Sequence, residues 1–72
     1  MGFGKDKFDQ LAYALTRSDE DILEHEGFRA EWVENGAVVR VTHRSVGTSI
    51  DYDAEDVVRC TSEIELRNAR LP

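Results

Sequence analysis

Asn35-Gly36 stands between two runs of alternating side chains, 28–34 and 37–43. A two-residue hairpin loop needs positive φ at both central positions, which Asn and Gly adopt at least cost. The dipeptide therefore predicts an antiparallel hairpin in which Glu34 faces Ala37, Trp32 faces Val39, Glu31 faces Arg40 and Ala30 faces Val41. Phe28, Ala30, Trp32, Val39 and Val41 then share one face, while Arg29, Glu31, Val33, Val38, Arg40 and Thr42 share the other. A slip of one residue would exchange the two sets, so the register is tightly specified.

The alternation continues beyond the hairpin. Arg44-Ser45-Val46-Gly47 reads as a second turn, leading to a third strand over Thr48–Tyr52. Pairing His43 with Thr48 places Val41 opposite Ile50 and Val39 opposite Tyr52, and it sets Arg40 between Glu31 and Asp51. Trp32 is expected to be largely buried between sheet and helices, with Leu11, Val39, Val41 and Ile50 among its surroundings.

Helical spacing flanks the strands. Met1–Gly4 reads as a frayed arm. Phe8, Leu11, Ala12 and Leu15 then fall at i, i+3, i+4 and i+7, one face of a helix over about Lys5–Arg17. Ser18-Asp19-Glu20-Asp21 resembles a capped helix start with acids in its first turn, which predicts a second short helix, or a bend of the first, ending near Glu26. Gly27 would be its left-handed C-terminal cap. After Asp53 two patterns compete: Val58, Cys60, Ile64 and Leu66 alternate as in a strand. Early acids, late arginines and the i, i+4 pairs Glu55/Arg59 and Glu63/Arg67 favour a helix over 54–71.

These elements predict a single small α+β domain over residues 1–72, a three-stranded antiparallel meander with N- and C-terminal helices on one face (α-β-β-β-α). Double-stranded RNA-binding domains are similar in element order and length. That family holds phosphates with lysines at the start of its last helix, where this chain has Asp53-Ala54-Glu55-Asp56. The resemblance thus implies a fold and not RNA binding.

The chain carries fifteen acidic and nine basic residues, a net charge of −6. Asp19, Glu20, Asp21, Glu24 and Glu26 crowd positions 19–26, and Asp51, Asp53, Glu55 and Asp56 crowd 51–56, with no lysine or arginine in either window. Such patches repel a phosphate backbone and attract a basic protein surface. At 72 residues, a pocket that encloses a substrate is hard to build, which argues against an enzyme. One cysteine, no signal-like N-terminus and no apolar run of spanning length point to a soluble cytoplasmic protein.

No catalytic, cofactor-binding or metal site is expected. Asp51, Asp53 and Glu55 occupy positions 1, 3 and 5 of a calcium-loop pattern, but Asp56 stands where its glycine belongs and Ser62 where its last glutamate belongs. His25, His43 and Cys60 are too widely spaced for a zinc motif. Cys60 has no base beside it in sequence and reads as a small buried residue. Arg29, Arg40 and Arg44 make the hairpin the most basic segment, and a nucleic-acid-binding regulator using them is the second functional reading.

The first reading is a non-enzymatic interaction module without a cofactor, monomeric or homodimeric. Asp19, Glu20, Asp21, Glu24, Asp53, Glu55 and Asp56 would bind a protein partner with a basic, nucleic-acid-handling surface. Small acidic phage-encoded inhibitors of bacterial defence systems, anti-CRISPR proteins among them, are similar in size, acidity and lack of catalytic motifs.

Overall fold

A computed structural model describes residues 3–70. The predicted hairpin lies at the centre of an antiparallel sheet of four strands, not three. The elements run α1 (Phe3–Thr16), β1 (Ile22–His25), β2 (Phe28–Val33), β3 (Val38–His43), β4 (Thr48–Asp53), α2 (Ala54–Arg59) and α3 (Glu63–Arg70), and the strands lie in chain order. The class is α+β, while the extra strand removes the likeness in element order to double-stranded RNA-binding domains.

The central register is the one the alternation predicts: Trp32 pairs with Val39, Glu31 with Arg40, Val41 with Ile50 and Val39 with Tyr52. Strand pairing ends at Val33 with Val38, so the connection is longer than the expected two residues. Glu34 (φ 56°), Asn35 (φ 58°) and Gly36 (φ 88°) are all left-handed, and the Ala37 amide donates to the Glu34 carbonyl at 3.1 Å to close the turn. No heavy atom would meet a Cβ at Gly36, so the residue is selected by its backbone angle and not by space.

Residues 19–26 correct the expected second helix. Ser18 does not cap one: its hydroxyl donates to the Leu15 carbonyl at 2.9 Å, finishing α1, and accepts from the Glu20 amide at 3.2 Å. The chain then extends as edge strand β1, with Ile22 paired to Glu31 and His25 to Phe28. Glu26 (φ 51°) and Gly27 (φ 85°) form a second tight turn, so the glycine read as a helix cap serves a hairpin. Helix α1 opens earlier than expected, at Phe3; Met1 and Gly2 lie outside the described residues.

The expected single helix after Asp53 is divided at Cys60–Ser62. Helix α2 starts where Asp53 Oδ1 accepts from the Glu55 amide at 2.9 Å. Helix α3 starts at a variant of the capping box: Ser62 Oγ accepts from the Glu65 amide at 3.1 Å, while Glu65 Oε1 reaches one residue past the cap to accept from the Thr61 amide at 2.6 Å. The break is fastened to α1, where the Tyr13 hydroxyl donates to the Thr61 carbonyl at 2.9 Å and Arg17 donates to the Cys60 carbonyl.

All three helices contribute to one core on the inner face of the sheet. Leu15, Val39, Val41 and Val57 are fully buried there. Asp9 is buried with them at 0% exposure, accepting from the Tyr52 hydroxyl at 2.6 Å with Arg67 Nε at 3.7 Å. Trp32 packs against this core from near the end of β2, partly buried and with some of its indole reaching solvent.

Candidate functional site: two acidic edges and a tryptophan groove

All seven acids expected to bind a partner are exposed, but they do not form one surface. Asp19, Glu20 and Asp21 lie in the loop before β1, and Glu24 lies on β1 itself, rather than on early helices. Asp53, Glu55 and Asp56 lie where β4 passes into α2. Strands β1 and β4 are the two edges of the sheet, three strand spacings or about 14 Å apart. The antiparallel register sets the 19–21 loop and the end of β4 at the same end of the sheet, so the two groups flank it.

The acids differ in what they hold. Glu24 is taken up by Arg29 at 3.4 Å and Arg44 at 3.7 Å, and Asp56 by Arg59 at 2.6 Å. Asp53 receives the Glu55 amide. Asp19, Glu20, Asp21 and Glu55 have no cationic partner among the described residues.

The outer face of the sheet is a ladder of opposite charges. Arg40 donates to Asp51 from Nε at 2.8 Å and from a terminal nitrogen at 3.2 Å, the cross-strand pair the register predicts. Arg29 reaches Glu31 at 3.8 Å as well as Glu24. The hairpin arginines are thus engaged within the sheet, Arg44 sharing Glu24 with Arg29. Hydrogen bonding from Arg40 holds the Asp51 carboxyl below its ordinary value of 3.8. A depressed carboxylate lends stability above its unfolded pKa and loses it as pH falls through the folded value. Asp51→Asn is therefore expected to flatten the acid limb of the urea midpoint between pH ~5 and ~2, where the parent falls more steeply.

At the end of the sheet, Trp32, Gly36, Ala37, Asp53, Ala54, Glu55, Val58 and Arg59 line an open groove of about 470 Å³. The Ala54 amide donates to the Ala37 carbonyl at 3.0 Å, tying the hairpin turn to the start of α2 and fixing both walls. Val58 is 53% exposed there. Sequence reasoning placed Asp53 and Glu55 among the binding residues but missed Trp32 and Val58. Their signal was positional: Trp32 stands one residue from the end of its strand.

The remaining candidates have structural surroundings. Cys60 is buried, and burial pushes its thiol pKa up, with the carboxylates of Glu65 and Asp56 adding to the shift. Such a thiol is a poor nucleophile at neutral pH. His43 stacks on Phe28 with ring centroids 4.3 Å apart, whereas His25 is exposed at the end of β1, not at a helix end. No three His, Cys, Asp or Glu side chains converge on a metal-sized site among the described residues. No helix among them is long and apolar enough to cross a membrane. The chain matches no family model, no curated protein and no solved structure.

Proposed function

We propose that the protein is a small acidic interaction module that docks on a basic, nucleic-acid-handling protein as its inhibitor or modulator. The observation that carries this reading is that Asp19, Glu20, Asp21 and Glu55 are exposed and have no cationic partner among the described residues. On a chain of net charge −6, such groups repel one another and work against folding. The same charges speed encounter with a basic partner and fix its orientation. Proteins that handle nucleic acid present basic surfaces of this kind to phosphate. An inhibitor of the size and charge of the small phage-encoded anti-defence proteins is the form we adopt. Direct nucleic-acid binding has less support, because Arg29 and Arg40 are already paired with carboxylates.

The test begins with recovery of the partner from the native host, identified by mass spectrometry. Association is then timed by stopped flow across a range of salt. Glu20→Lys with Asp21→Lys, both outside regular structure, should slow association about tenfold at low salt and weaken its salt dependence. Unaltered kinetics in that variant, and in Glu55→Lys with Asp56→Lys, would rule out the acidic surfaces. Saturable, steeply salt-dependent binding to duplex DNA or RNA would favour the hairpin arginines instead.

A further inference from the structure

We infer that the groove beside Trp32 receives an arginine side chain of the protein partner, an inference that rests on the interaction reading above. The floor is apolar: the half-buried Trp32 indole, Ala37, Ala54 and the outward-facing Val58. The rim is anionic. Among the described residues Glu55 pairs with no cation, and Asp53 holds only a backbone amide. Arg59, the cation in the lining, is occupied by Asp56 at 2.6 Å.

An occupant must satisfy both parts. A purely apolar side chain would cover the carboxylates without pairing them, which is costly. An acidic segment would be repelled. A side chain with an apolar stem and a cationic head fits the floor and the rim together. Arginine fits better than lysine, because its planar guanidinium stacks on an aromatic face while its fork of donors reaches a carboxylate. The fold already stacks an arginine on an aromatic ring at the opposite end of α2. There the Arg17 guanidinium sits 4.3 Å from the Tyr13 ring centroid while donating to the carbonyls of Val58 and Cys60. The groove walls are held before any partner arrives, by the Ala54–Ala37 bond and the Asp53 cap, so little ordering is required on binding.

Trp32 is the sole tryptophan, so its emission reads the groove directly. The probe is a blocked peptide with one arginine among glycines, compared with its citrulline counterpart, which keeps the shape and removes the charge. The arginine peptide should shift Trp32 emission saturably, and the citrulline peptide should bind at least about tenfold more weakly. Asp53→Asn with Glu55→Gln should weaken the arginine peptide to a similar degree; asparagine preserves the helix cap. Glu55→Gln alone removes no side-chain hydrogen bond or ion pair among the described residues and should weaken it in the same direction. No saturable shift, equal binding of the citrulline peptide, or unchanged affinity in these variants overturns the inference. If those results coincide with slowed partner association in Glu20→Lys with Asp21→Lys, the groove assignment falls while the interaction reading stands.

Discussion

Leu15→Ala is expected to lower the stability of the protein by about 2–5 kcal/mol, measured as the shift in urea midpoint at constant slope. Leu15 is fully buried, on the face of α1 that covers the sheet. Removing its isobutyl group loses transfer free energy and leaves a cavity that fixed neighbours such as Val39 and Val41 fill only in part. A domain of this length has a total of roughly 4–11 kcal/mol, so the variant stands near the unfolding threshold. Trp32→Ala should be milder despite the larger side chain, because the indole already meets solvent. A larger loss for Trp32→Ala than for Leu15→Ala would show that the groove is part of the core.

Tyr52→Phe is expected to cost about 1.5–3 kcal/mol, the range for a hydrogen bond to a charged group. The change is close to isosteric, so the loss comes from the 2.6 Å hydrogen bond to Asp9 and not from packing. That carboxyl is fully enclosed, and water cannot replace the missing donor. Tyr13→Phe supplies the comparison. Its hydroxyl donates to the Thr61 carbonyl in an exposed setting, so its loss should amount to no more than about 1 kcal/mol. Equal effects for the two tyrosines in parallel urea titrations would contradict a special role for the enclosed carboxyl.

The three-strand meander was legible because two independent signals agreed, the Asn35-Gly36 turn and the alternation of Phe28, Ala30, Val39, Val41 and Tyr52. The first hairpin was misread because a left-handed glycine ends helices and turns hairpins alike. Four residues of β1 are also too few for alternation to outweigh a Ser-Asp-Glu-Asp cap pattern. The break between α2 and α3 had a signal, Ser62 followed three residues later by Glu65, but the charge pairs Glu55/Arg59 and Glu63/Arg67 suggested one continuous helix. Glu63/Arg67 do approach, to 3.9 Å, while Arg59 turns to Asp56 instead. The acidic residues of the candidate site were readable from composition. The groove was not, since alternation tells which side of a sheet a residue faces and not how far the covering helices extend along it. Asp9 was hidden for a related reason: a carboxylate on an amphipathic helix is assigned to solvent unless its partners, here Tyr52 and Arg67, are seen to arrive from distant segments.

Those partners have a consequence for how the protein is made. Asp9 belongs to the first helix, Tyr52 to the last strand and Arg67 to the final helix, so the network closes only across most of the chain. A nascent polypeptide leaving the ribosome N-terminus first would form the hairpins of residues 22–53 with their apolar face incompletely covered. Helix α1 would be held against them with its carboxyl lacking the Arg67 charge until that residue emerged. Contacts of such sequence separation slow folding, and the exposed interval is when premature association is most dangerous. The many carboxylates that repel one another in the finished molecule would also keep neighbouring unfinished chains apart during that interval.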